Sequence, residues 1–229
     1  MNIRILGARG EIPLSIPFYQ KHSGVLINGK LLCDLGEKEY LKYSPKLILI
    51  THLHPDHAFF IRDREEYNIK SIVLAPENSK NFKFITVCSV PVMIDDYKIT
   101  PIPTQHSAKV KSQGYLIEKE GKRIFYSGDL VDISPDQYPL LENLDAVITE
   151  ASFIRKGGLV RKTASGVKYG HTGVPDLISL FSKFTQQIIF THFGSWFLKD
   201  PVKGRIKIEG MAPEGMKVDI GYEGREFEV

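Results

Sequence analysis

The apolar run LILI at residues 47–50 opens directly into THLHPDH, which places three of the chain's seven histidines between positions 52 and 57. A short apolar run rich in branched residues predicts a buried strand. At the end of a strand, the period-two spacing of His52 and His54 turns both imidazoles to one side, so both can reach one cation. Asp56 and His57 follow where the chain turns away, placed for a second cation. Three imidazoles beside a carboxylate have little structural use without a metal, so this segment predicts a metal site at the rim of a sheet.

Similar runs recur along the chain: IRIL, GVLI, KLLC, SIVLA, KITPI, GYLIE, RIFYSGD, DAVITE and QIIFTH. They predict a strand-rich α/β fold. Asn28-Gly29 and Glu120-Gly121 sit between such runs and predict tight hairpin turns. Helical spacing is clearest from Val174 to Phe184, where Val174, Leu177, Ile178 and Phe181 recur at three- and four-residue steps behind Thr172 as N-cap. Residues 155–170, RKGGLVRKTASGVKYG, read as a loop whose glycines permit a mobile flap. From Asp200 onward, RIKIE and KVDIGYEGREFEV alternate apolar with charged residues and predict short closing strands. A length of 229 residues suits one α/β domain over 1–229, and a charged share of 25% argues against disorder.

The opening MNIRILGARGEIP is too short an apolar run for a secretory segment, and no stretch has the length of a membrane span, so a cytoplasmic protein without membrane association is expected. Cys33 and Cys88 could pair in principle, but Cys33 lies inside an apolar run, where a buried free thiol is the commoner outcome, so no disulfide is expected.

His106 in PTQHSA, Asp129 in YSGD and His192 in FTHFG each follow a strand-like segment. All three can therefore sit on loops at one sheet edge, where α/β sites form. Two metals need about four ligands each, and one aspartate can serve both through its two oxygens. The histidine cluster together with these residues completes that count.

In this order, the HxHxDH box, the lone later histidine, Ser-Gly-Asp and the final Thr-His resemble the motifs of the metallo-β-lactamase superfamily, from LGARGEIP almost to the C-terminus. The resemblance implies a four-layer αββα sandwich. It implies that His52, His54 and His106 bind one metal, that Asp56, His57 and His192 bind the other, and that Asp129 bridges them. Asp34 in LLCDLG matches the aspartate that orients the histidine loop. ILGARGEIP, HSGVLI, and EASF with GHTG and THFG are most similar to the tRNase Z and phosphodiesterase branch. There, the residue matching His171 assists the leaving group, and Glu150 matches a residue near it.

The implied activity is that of a dinuclear zinc hydrolase, in which a metal-bridging hydroxide attacks a small or cyclic phosphodiester, with Asp56 steering the hydroxide. Histidine at position 54, where oxygen-reducing relatives carry an acidic residue, favours zinc hydrolysis over iron redox chemistry, although manganese or iron would also suit the donors. Lys109 and Lys111 after His106, and Arg155, Lys156, Arg161, Lys162 and Lys168 before His171, are candidates to hold a phosphate-bearing substrate. True tRNase Z carries an RNA-gripping arm between the third histidine and the bridging aspartate, whereas residues 107–128 leave room only for a hairpin. The expected partner is therefore a small phosphate-containing substrate, with a homodimer an allowed assembly. The alternatives are RNA 3′-processing of the tRNase Z type, a lactone or thioester hydrolase, and a metal-stabilised nucleic-acid-binding module.

Overall fold

The apolar runs become strands, and the strands assemble into two large sheets in the computed structural model, which describes residues 1–62 and 67–229. The chain begins with β1 (Asn2–Gly7), β2 (Gly24–Ile27), β3 (Leu31–Cys33), β4 (Leu47–Leu49), β5 (Ile72–Ala75) and β6 (Ile85–Val87). It continues through β7 (Val92–Ile94), β8 (Tyr97–Gln105), β9 (Gln113–Lys119), β10 (Lys122–Tyr126), β11 (Asp132–Ile133) and β12 (Ala146–Ala151). A hairpin of β13 (Leu159–Lys162) and β14 (Lys168–His171) precedes α1 (Val174–Phe181) and β15 (Gln187–Phe193). The short α2 (Ser195–Leu198), α3 (Pro201–Glu209), β16 (Lys217–Ile220) and β17 (Glu226–Glu228) complete the chain.

The first sheet has the order β17-β1-β2-β3-β4-β5-β6, and the second runs β11-β8-β9-β10-β12-β15-β16 with β7 attached to β8. The last strand therefore returns to pair antiparallel with the first. Asn28 and Gly29 both take positive φ, as do Glu120 and Gly121, so each expected hairpin turn forms. Residues 107–128 hold only the β9–β10 hairpin.

Alternation within each strand sorts the apolar residues into layers. Val25, Ile27, Leu31, Cys33, Leu47 and Leu49 belong to the core that also contains Tyr97, Ile99, Tyr115, Ile117 and Ile148 of the second sheet. Leu26, Leu32 and Ile48, one residue out of phase, join a separate cluster with Tyr40, Phe59 and Phe60. Burial on both faces is why these strands read as continuous apolar runs. Among the described residues, the cover on that outer face comes from two 3-10 turns, Lys38–Tyr43 and Phe59–Ile61. On the second sheet, α1 buries Val174, Leu177, Ile178 and Phe181. Cys33 and Cys88 are both buried and free. No helix among the described residues is long and apolar enough to cross a membrane.

Three local expectations are corrected. RIKIE is helical, not a strand: Asp200 caps α3 by accepting from the Lys203 N–H at 3.0 Å, with Pro201 in the first turn. Its period-two alternation is misleading, since Ile208 is buried while Ile206 is 64% exposed. The N-cap of α1 is Gly173, which offers no side-chain cap, and not Thr172; the helix stops at Phe181, before Phe184. Residues 155–170 are not simply a loop, because β13 and β14 pair in register from Leu159↔His171 to Lys162↔Lys168.

Candidate metal centre

The site gathers at the C-terminal ends of strands, where the chain leaves each sheet with free backbone and room for side chains. Asp34 follows β3, the histidine cluster follows β4, His106 follows β8 and Asp129 follows β10. Glu150 lies near the end of β12 and His171 ends β14. His192 lies within β15 and not on a loop as its sequence context suggested. The β12–β15 register slips there from Glu150↔Thr191 to Ala151↔Phe193, leaving His192 as the extra residue, with φ at 48°. Such a bulge turns a side chain out of the pleat, here into the site.

Two groups of donors result among the described residues, with a third, Asp129, Glu150, His171 and His192, overlapping the second. Ligand atoms of His52, His54 and His106 lie within 4.8 Å of one another, as do those of Asp56, His57, Asp129 and His192. Asp129 stands between them. Its Oδ2 is 3.6 Å from His106 Nε2 and 3.9 Å from His52 Nε2, while its Oδ1 is 3.3 Å from His57 Nε2 and 3.2 Å from His192 Nδ1. Two ligands on one tetrahedral zinc, each about 2.0–2.1 Å from it, lie about 3.3 Å apart, so these spacings suit shared cations.

Neighbouring acceptors fix the ring tautomers. The Asp34 carboxylate can only accept, so His57 Nδ1–H donates to it at 2.7 Å and Nε2 is the ring atom left to face the centre. By the same logic His106 Nδ1–H donates to the Gly170 carbonyl at 2.9 Å. Asp34 is itself held by the Thr51 N–H at 2.8 Å, the Thr51 hydroxyl and the Tyr126 hydroxyl at 2.8 Å. Glycine is required at 128, where φ is +60° and a Cβ would come 2.7 Å from the Thr51 side chain.

Three buried atoms face the centre without a hydrogen-bond partner: His52 Nε2, His57 Nε2 and Asp129 Oδ1. Each orphan of this kind costs about 1–3 kcal/mol. Bare imidazole nitrogens and a carboxylate oxygen aimed at one space are the donor set of a divalent cation, so these residues fit such an ion.

Electrostatics agree. Burial opposes charge on His57, yet Asp129, Asp34 and Asp56 lift its pKa well above the usual imidazole value. Burial likewise opposes charge on His171, while Glu150 and Asp129 raise it to about 9. His192 is also raised against burial, by Asp129 and Asp56. Burial drives the other three down: His52 well below the usual value, His106 to about 4, and His54 in the same direction. Against the upward push of burial, His57 and His192 hold Asp56 low, and His192, His57 and His171 hold Asp129 well below the carboxylate range. The carboxylates thus demand positive charge at the centre, as protons or as a metal.

A cavity of about 490 Å³ opens onto the centre, with His54, Asp56, His106, Asp129, His171 and His192 in its wall. His171 Nδ1–H donates to Glu150 at 2.8 Å, and Glu150 also accepts from the Leu130 N–H. None of the seven basic residues singled out in the sequence lines this cavity. Lys109, Lys111 and Lys168 line a neighbouring one of about 620 Å³, and Lys168 is 3.5 Å from Asp132. Arg155, Lys156, Arg161 and Lys162 are exposed in and before the β13–β14 hairpin.

Sequence reasoning missed several participants. Thr51 and Tyr126 brace Asp34, and the Ser152 hydroxyl lies 3.0 Å from His192 Nδ1. Thr51 and Ser152 adjoin recognised motifs and were within reach. Tyr126 reaches Asp34 from the other sheet, 92 positions away, with no local signal.

Among known proteins, this fold is well populated. The metallo-β-lactamase fold protein YhfI from Bacillus subtilis is 17% identical with a TM-score of 0.72, covering 100% of this chain and 98% of its own. A diphosphatase of the PhnP family is 17% identical at 0.69, covering 100% and 97%. Human tRNase Z, short form, is 16% identical at 0.65, covering 100% and 99%. At these identities the likeness establishes the fold alone. No curated protein sequence matches the chain. Residues 41–193, which carry the histidine cluster, Asp129 and His192, match the beta-lactamase superfamily domain, and the chain therefore belongs to that superfamily and has the metallo-β-lactamase fold.

Proposed function

We propose that this protein is a metal-dependent phosphodiesterase with a dinuclear zinc centre, acting on a small or cyclic phosphodiester. The observation that carries it is the convergence of seven donors on a space faced by three unpartnered buried atoms, beside an open cavity. His52, His54 and His106 would hold one ion and Asp56, His57 and His192 the other, with Asp129 shared. The buried carboxylates Asp34, Asp56 and Asp129 gather at the centre beside Glu150, which His171 meets, and divalent ions would balance their charge. When bound, zinc supplies water activation near neutral pH and neutralises charge on phosphoryl oxygens.

The chain's own residues supply the rest. Asp34 holds His57 in the tautomer that leaves Nε2 bare. Glu150 binds the Nδ1–H of His171, so His171 presents Nε2 to the cavity as the acid that protonates a departing oxygen. Asp56, within reach of His57 and His192, orients the attacking water. Two structural relatives, a diphosphatase and a tRNase Z, fit with phosphate-ester chemistry. A second reading, RNA 3′-processing, draws support from the neighbouring cavity, where Lys109, Lys111 and Lys168 would meet a strand extending from the centre.

The test is metal analysis followed by parallel turnover of bis(p-nitrophenyl) phosphate, a chromogenic lactone and a labelled single-stranded RNA. Metal-dependent cleavage of the phosphodiester is expected. A metal-loaded protein that cleaves only the lactone overturns the reading, and one that cleaves only RNA transfers it to the second.

A further inference from the structure

Resting on the phosphodiesterase reading, we propose that the cavity selects a small diester with a single negative charge and a flat aromatic group, which packs against Phe153, Leu159 and Trp196. Those side chains and Ile12 line the same cavity as the histidines. A volume of about 490 Å³ falls in the range of small-molecule sites, about 300–1,000 Å³.

The wall is apolar, and its scarcity of cations disfavours a polyanion. Among the described residues no lysine or arginine lines the cavity, and the Glu11 carboxylate that does is ion-paired with Arg62. A nucleic-acid strand or polyphosphate would bring its further charges against a largely apolar surface where Arg62 is already paired with Glu11. Lys109, Lys111 and Lys168 line the separate cavity.

The aromatic wall is also preset. The Trp196 Nε1–H donates to the Ala151 carbonyl at 3.0 Å, and its ring stands edge-on to Phe197 at 5.5 Å, so its orientation is fixed without a ligand. The Phe153 ring is centred 6.0 Å from His171. Leu159, 37% exposed, pairs across the β13–β14 register with His171 itself, so the hairpin carries the apolar contact and the leaving-group histidine together. A substrate ring covering these residues removes apolar surface from water on both partners while its phosphate reaches the centre.

The chain has one tryptophan, so Trp196 fluorescence reports directly on the wall. Zinc-loaded protein is titrated with diphenyl phosphate, dimethyl phosphate and an oligouridylate. Diphenyl phosphate is expected to shift the emission and to bind about tenfold or more tighter than dimethyl phosphate, as burial of an aromatic ring allows. Phe153→Ala and Leu159→Ala should each weaken diphenyl phosphate about three- to tenfold while dimethyl phosphate stays within about twofold. Leu159 sits on an exposed hairpin, so its substitution leaves the core intact. Equal affinity for the two phosphates, equal weakening of both by the substitutions, or tighter binding of the oligouridylate overturns the proposal. Aromatic preference in a protein inert to all diesters would leave this site standing and remove the hydrolytic reading; diester hydrolysis without the preference would do the reverse.

Discussion

Replacing Asp34 by asparagine changes almost no volume and removes one acceptor, which makes it a sharp probe of the centre. Asp34 is fully buried and receives Thr51 on one oxygen and His57, Thr51 and Tyr126 on the other. An asparagine that keeps its carbonyl towards the Thr51 N–H turns its NH2 towards His57 Nδ1, donor against donor. His57 escapes by moving its proton to Nε2, the atom that faces Asp56 and Asp129. The lost charge-assisted bond is worth about 1.5–3 kcal/mol, and an outer partner of a metal-binding histidine is worth about 10–100-fold in affinity. Asp34→Asn should therefore weaken zinc binding by about that factor. Tyr126→Phe, which removes one neutral donor and leaves the tautomer intact, should cost only about 0.5–1.5 kcal/mol of stability and little affinity. Competition against a calibrated chelator, with thermal unfolding of stripped protein alongside, measures both. If Asp34→Asn holds zinc within twofold of the parent, or Tyr126→Phe is the weaker binder, the tautomer argument is wrong.

Other outcomes follow from the same geometry. His54→Ala and Asp129→Ala should lose both metal and turnover, whereas His171→Ala should keep its metal and lose rate by about 10²–10⁴-fold; equal metal loss in all three would contradict the role given to His171. Metal-stripped protein should lose stability as pH rises from about 6.5 towards 9. His57, His171 and His192 have folded pKa values above that of a free imidazole, about 6.5, so their contribution is complete below it and vanishes as pH climbs through the folded values, about 9 for His171. Metal-loaded protein should resist this loss because cations replace the protons, and a flat melting temperature over that window in stripped protein would refute the charge argument.

The site was legible in proportion to how local its signal is. THLHPDH announces itself because a strand end and its turn place four side chains within six positions. His106, Asp129 and His192 were recoverable only as members of an ordered set, since one histidine after a strand means little alone. The bulge that aims His192 inward has no signature in THFG. Helix α3 was misread because RIKIE satisfies period two by chance, while the Asp200-Pro201 start that decides the matter is a capping signal. The basic run at 155–168 was a candidate phosphate grip; β13 pairs with β14 there, Leu159 lines the cavity at the centre and Lys168 lines the neighbouring one.

What the sequence alone determined was the chemistry on offer: strands ending in imidazoles and carboxylates, because alternation, turn residues and ligand spacing act over a few positions. Which of those groups are bare and which are tied, that Tyr126 braces Asp34 from the opposite sheet, and that the cavity wall is aromatic instead of cationic were decided only by tertiary packing. Hydrogen-bond partners and cavity walls are made by segments distant in the chain, and their meeting depends on how two sheets close on each other.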